Sequence, residues 1–226
     1  MNPLVRRSAL SLVVTLLAVP SIFAAGERKT FHPEQSSTGK FHGCPPTGKG
    51  SDPYLNSLKN RDKVPATAQL FTVPKLIATA PRLPTAKVHR EKWTAAQQDL
   101  AAQWERRAVT VEGFLLHIVK EGAESCNCGS TQFVDHHMWL APTAAAGRTK
   151  AMVVEISPRA WGQHPTWATN TPFNPLIKSK TKVRMTGWLT FDQEHNEQVG
   201  KTRGTLWEVH PVTQVQVLKG GKWVPL

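Results

Sequence analysis

The residues in this chain that can do chemistry fall in a few short stretches. Glu124-Ser125-Cys126-Asn127-Cys128-Gly129 is followed closely by Asp135, His136 and His137. Glu155 and Arg159 come next, then Asp192-Gln193-Glu194-His195, and finally Arg203, Glu208 and His210. Thiolate and imidazole are good zinc ligands, but structural zinc loops usually place two to four residues between paired cysteines. Only Asn127 separates Cys126 from Cys128. A metal reading therefore rests on Asp135, His137, His195 and His210. With Glu155, Asp192 and Glu208 added, the set could in principle hold a divalent cation and activate water on a phosphodiester. Arg159 and Arg203 could then steady the phosphate oxygens. Carboxylate–histidine pairs also serve as ordinary cross-strand hydrogen bonds. Spacing alone does not bring these groups together, so the elements that carry them decide.

Those elements are mainly strands. From residue 109 the apolar residues recur with a period of two, which marks strands over 109–120, 133–141, 150–157, 182–192 and 206–218, with a short tail at 223–226. Gly113 inside the first strand suggests a bend or bulge, and Pro211 a break in the last. Residues 158–179, with four prolines and two tryptophans, read as a loop or helical insert. Three strands, an insert and two more strands is the order of a five-stranded OB-like barrel with the insert plugging one end. An open five-stranded sheet with a helix on one face is the alternative. Ahead of the barrel, Trp93, Ala96, Leu100 and Trp104 recur at helical spacing over 93–107, and Thr94 with Gln97 fits a capping box. That helix is expected over a mouth or edge of the barrel.

Side chains alternate faces along a strand. Met152, Val154 and Ile156 in the third strand, and Val134, Met138 and Leu140 in the second, mark the core side. Phe133, Asp135, His137, Trp139 and Glu155 then point outward together, on the face where OB domains usually receive ligands. With Arg159 and Arg203 they form the expected ligand-binding set. Trp139 beside Phe133 is the kind of platform on which bases or sugar rings stack. His136 falls on the core side and is expected to be buried and satisfied by a backbone carbonyl.

The N-terminal stretch reads as an export signal over residues 1–24. Arg6 and Arg7 precede an apolar run from Leu10 to Val19, and Ala24-Ala25 is a plausible cleavage point. That run is shorter than the roughly 20 residues a bilayer-spanning helix needs, and no later stretch is apolar enough to span. Residues 25–90, rich in proline, read as an extended arm or linker, and 91–226 as the barrel domain with its leading helix. Within the arm, Tyr54, Leu55 and Leu58 suggest a short helix capped by Asp52, with Pro53 at its first position. Leu70, Phe71 and Val73 suggest a short strand. In an oxidising compartment a disulfide among Cys44, Cys126 and Cys128 is permitted, and all three pairings stay open.

The formal net charge is +12, and loss of Arg6 and Arg7 with the export segment leaves +10. Such a surplus attracts anionic partners such as nucleic acid, anionic glycan or lipid headgroups.

Several motifs also resemble a family of exported bacterial proteins with an OB-like β-barrel domain. They are Gly43-Cys44-Pro45-Pro46 with Leu55 to Arg61, Glu124 to Cys128, Asp135 with His137, and Glu155 with Pro158-Arg159. Gly187-Trp188-Leu189 with Asp192 and His195, and Trp207-Glu208-Val209-His210-Pro211, complete the set. The resemblance implies the fold and assigns no activity. The leading expectation is a secreted or periplasmic binding module for an anionic polymer, single-stranded nucleic acid first. A metal-dependent phosphodiester hydrolase and an envelope structural or partner-binding protein are the alternatives. No cofactor is expected beyond a divalent metal.

Overall fold

A computed structural model describes residues 39–84 and 90–226. The export segment read over 1–24 lies outside the described residues. In chain order the elements are α1 (Pro53–Lys59), β1 (Gln69–Thr72), α2 (Val73–Thr79), α3 (Ala95–Glu105), β2 (Ala108–Lys120) and β3 (His136–Ala141). Then come β4 (Met152–Ile156), α4 (Pro158–Trp161), α5 (Asn174–Lys178), β5 (Lys182–Phe191), β6 (Trp207–Lys219) and β7 (Lys222–Pro225).

Five of the strands close on themselves. β2 pairs antiparallel with β3, β3 with β4, β5 with β6 and β5 with β2, while β4 meets β6 in parallel. The circuit β2-β3-β4-β6-β5 is the topology of an OB barrel, and the chain is mainly β. β1 adds in parallel to β2, and β7 turns back on β6. The insert between β4 and β5 sends Trp167, Phe173 and Leu176 into the main core, beside Met138, Val154, Met185 and Val209. Long β2 pairs with β3 and β5 inside the barrel and with β1 outside it, and Gly113 lets β3 approach closely. A Cβ there would lie 2.6 Å from the Ala141 carbonyl oxygen and 2.9 Å from Leu140. The irregularity of the β2–β3 register lies further on, between Leu115 and His117.

α3 keeps its capping box, with Thr94 Oγ1 accepting from Gln97 N and Gln97 Oε1 accepting from Thr94 N. Trp93 and Trp104 are buried, whereas Ala96 is exposed because the helix begins only at Ala95. Trp104 packs against Trp207 at a ring separation of 5.8 Å.

The segment ahead of α3 is bound closely to the barrel. In α1, Asp52 caps Leu55 N at 2.8 Å, and Leu55 and Leu58 are buried. The wholly buried Arg61 donates from Nη2 to the Leu189 carbonyl at 2.8 Å, to Thr190 Oγ1 at 2.9 Å and to the His210 carbonyl at 3.3 Å. Phe71, Val73 and Leu76 join the main core. Of the three cysteine pairings, the structure forms Cys44–Cys128 and leaves Cys126 as a buried thiol.

Candidate functional site

Strand order explains how distant polar residues meet. β3 pairs with β4 so that His137 lies opposite Glu155. β4 meets β6 at Val154 and Val209, which brings Glu208 and His210 alongside Glu155. Glu208 pairs across β6–β5 with Thr190, two residues before Asp192. Asp135, His137, Glu155, Asp192, His195, Arg203, Glu208 and His210 therefore form one continuous network.

The network has two halves joined at His210. In the first, His137 Nδ1 lies 3.0 Å from Glu121 Oε1 and 3.1 Å from Glu155 Oε1. His210 Nδ1 is 3.2 Å from Glu155 Oε2, and its Nε2 is 3.1 Å from Asp135 Oδ2. Asn127 Nδ2 donates to Asp135 Oδ1 at 3.0 Å. In the second half, Arg203 Nη1 reaches Asp192 Oδ2 at 2.7 Å and Glu208 Oε1 at 2.6 Å. His195 Nδ1 lies 2.7 Å from that same Asp192 oxygen.

Burial and charge oppose each other here. Burial alone would lower the pKa of His137, but the Glu155 charge and the bonds to Glu121 and Glu155 hold it at about 10. His210 is likewise held at about 10 against burial by Glu155, Asp135 and Glu208. Burial raises Glu124 to about 7, opposed by the Lys59 charge and supported by Asp135 and Glu155. Burial raises Asp192 less than His195 and Arg203 lower it, so its carboxyl stays well below the usual range.

The outward face was expected on solvent, and this is corrected. Asp135, His137 and Glu155 do share one face of the barrel, but they are 0%, 7% and 5% exposed. The loop before β3 and the segment around α1 cover them. Asn60 Nδ2 donates to the Cys126 carbonyl at 2.7 Å, Ser125 Oγ to Asn56 Oδ1 at 2.8 Å, and Lys49 N to the Ser125 carbonyl at 2.8 Å. Trp139 is also buried, its ring 4.3 Å from His137 and under the Arg148 guanidinium at 4.4 Å. Phe133 is half-buried and already stacked on His42 at 4.1 Å.

The arginines have other duties. Arg203 is held by two carboxylates, and Arg159 donates to the Gly39 carbonyl at 3.0 Å and the Cys44 carbonyl at 2.8 Å. With His210 wholly buried and both arginines engaged, the network offers a polymer phosphate neither access nor a free cation. His195 sits at the far half, on Asp192, away from the Asp135 carboxylate it was expected to join. His136 is buried as expected, yet neither ring nitrogen has a hydrogen-bond partner among the described residues, and its ring lies 5.8 Å from Trp161. The carbonyl expected to satisfy it is therefore a correction too, because the aromatic ring occupies that side.

A second polar surface went unread. Lys182 and Arg184 stand on one face of β5, with Lys178 and Lys180 exposed just before it. Across β6, Arg184 pairs with Gln216, and Leu218 pairs with Trp223 of β7. The Arg184 guanidinium lies 4.2 Å from the Trp223 ring centroid, and Lys182 Nζ lies 6.0 Å from it. Lys219 and Lys222 flank the turn and are exposed. Glu112 of β2 accepts from Lys182 Nζ at 2.7 Å and from Arg184 Nη2 at 2.7 Å. Those bonds, the Lys182 bond first, hold its pKa below the ordinary value against burial. Alongside runs a groove of about 300 Å³ lined by Thr110, Thr186, Gln214, Gln216 and His164. The signal was in the sequence: cations at 178, 180, 182 and 184 repeat with the strand period.

No family model matches the chain, and no curated protein matches it. Among solved structures, a chain in the crystal structure of yeast Stn1 and Ten1 is similar over 73% of this chain and 70% of its own, at 15% identity. Its TM-score of 0.34 is too low to carry any property across to this chain.

Proposed function

We propose that the protein is an extracytoplasmic OB-fold binding module for an anionic polymer, with single-stranded nucleic acid the first candidate. The observation that carries this reading is the basic sheet face on β5, β6 and β7, where Arg184 lies against Trp223 among Lys180, Lys182, Lys219 and Lys222. Non-specific single-strand binding combines a cationic surface that follows the phosphates with aromatic rings on which bases stack. The adjoining groove of hydroxyl and amide groups supplies hydrogen-bonding partners for sugar and base edges. The extracytoplasmic setting is supported by the export-like N-terminal sequence and by the Cys44–Cys128 disulfide, a bond suited to an oxidising compartment.

The test is fluorescence anisotropy of a labelled oligothymidine against the purified chain, from low to high salt. Affinity falls linearly with the logarithm of salt, because neutralised phosphates release counterions. The double substitution Lys182→Glu, Lys222→Glu abolishes binding and flattens that slope. Heparin is the control polymer. Capture of heparin without the oligonucleotide moves the assignment to anionic glycans, and failure to bind either one at low salt ends the reading.

A further inference from the structure

We propose that Glu124, Cys126, Asp135 and His210 form a site for one divalent cation of the zinc class. The site shares no residue with the basic face and does not rest on the nucleic-acid reading.

Hydrogen bonds and an ion pair hold these groups close together. Cys126 Sγ is 3.1 Å from Glu124 Oε2 and 3.8 Å from Asp135 Oδ2, and that same Asp135 oxygen is 3.1 Å from His210 Nε2. Zinc bonds of about 2.1 Å to nitrogen or oxygen and about 2.3 Å to sulfur, at tetrahedral angles, place neighbouring ligand atoms roughly 3.4–3.7 Å apart. Glu124, Cys126 and Asp135 offer ligand atoms within 4.8 Å of one another, and so do Asp135, Glu155 and His210. Asp135 belongs to both sets, so a cation held by all four groups draws His210 and Cys126 together around its carboxylate.

His210 supplies the independent reason to place a ligand here. It is 0% exposed, and neither ring nitrogen makes a hydrogen bond despite carboxylates on both sides. Buried polar groups are almost always paired. An imidazole that faces a carboxylate oxygen off its hydrogen-bonding direction is placed as a fellow ligand would be. Glu155 Oε2, also without a hydrogen bond, stands 3.2 Å from the other nitrogen, Nδ1. Metal-bound histidines almost always present their second nitrogen to such a group, which sets the tautomer and turns the first nitrogen to the metal. Asn127 occupies Asp135 Oδ1 and leaves Oδ2 to face inward.

The charges also close. Once the ion has displaced the protons of Cys126 and His210, two carboxylates, a thiolate and a neutral imidazole around a dication leave one negative charge, and Lys59 Nζ lies 3.5 Å from Glu124 Oε2 to answer it. Cys126 also lines a cavity of about 420 Å³ shared with His42, Phe133 and Arg159. The proposed site takes Asp135 and His210 from the expected set of Asp135, His137, His195 and His210 and adds Glu124 and Cys126.

The experiment uses the purified chain with its disulfide intact, so that Cys126 is its only thiol. After chelator treatment it is titrated with Co²⁺ in the absence of reductant. The expected result is one Co²⁺ per chain, tetrahedral visible absorption, a thiolate-to-cobalt charge-transfer band, and displacement by Zn²⁺. Cys126→Ser abolishes the charge-transfer band, and Glu155→Gln keeps the band while weakening affinity about tenfold or more, the usual effect of losing an outer-shell partner. Absence of one-to-one binding overturns the proposal. So does an octahedral spectrum without charge transfer, which means adventitious binding to surface groups. If Cys126→Ser does not fold, the wild-type spectrum decides: without the thiolate band the site is not there.

Discussion

The guanidinium of Arg184 lies 4.2 Å from the centroid of the Trp223 ring, so the last strand of the chain and a barrel strand present one cation–aromatic surface. A base can stack on such a ring only if the ring is kept in place, and Arg184, itself held by Glu112, braces one side of it. Trp223→Ala is expected to weaken oligothymidine binding by about 1–3 kcal/mol, the range for one lost base–aromatic stack. Anisotropy titrations at fixed salt measure it. Unchanged affinity would remove Trp223 from the interface.

Cys44 and Cys128 close a loop with a sequence separation of 84 residues. Replacing both by serine is expected to lower stability by about 2–4 kcal/mol, because the unfolded chain regains conformations that the crosslink forbids. Urea unfolding without reductant measures this. The covering segment should also loosen first, seen as faster amide exchange over residues 41–61 than in the barrel strands.

Arg61 ties the segment around α1 to three separate barrel groups, the Leu189 carbonyl, Thr190 Oγ1 and the His210 carbonyl. Arg61→Met preserves much of the side-chain volume but leaves buried acceptors without donors. A loss of about 3 kcal/mol is expected, since each unsatisfied buried group costs about 1–3 kcal/mol. The urea midpoint should fall with little change in the denaturant slope.

The Asp192–His195 pair makes stability depend on pH in a definite direction. The hydrogen bond to Asp192 raises the His195 pKa, so the contribution of His195 is complete below its unfolded value of about 6.5 and is lost as pH rises through the folded value. Asp192 behaves oppositely: its depressed pKa gives a contribution that is present at neutral pH and lost on acidification. An NMR titration of the His195 ring should show a midpoint above about 6.5. His195→Ala should flatten the fall of stability as pH rises above about 6.5. A His195 midpoint at or below the ordinary value would contradict the pairing.

Much of the scaffold was legible before any coordinates. The period-two runs located the five barrel strands, and their order around the 158–179 insert implied the closed circuit. Asp52 with Pro53, and Thr94 with Gln97, marked two helix starts through hydrogen bonds that span only three residues. Strand parity also brought Asp135, His137 and Glu155 to one face, since alternation follows from backbone geometry alone. The cations at 178, 180, 182 and 184 carry the same alternation.

What parity does not contain is what lies on top of a face. Whether Asp135 meets water depends on Asn60 reaching the Cys126 carbonyl, on Arg61 reaching β5 and β6, and on Cys44 choosing Cys128 over Cys126. These contacts join residues some 66 to 149 positions apart. Local propensity reaches a few residues along the chain and therefore settled the strands, their faces and the helix caps. Burial, charge compensation and cysteine pairing belong to groups that become neighbours only when the barrel has closed and the preceding segment has packed across it.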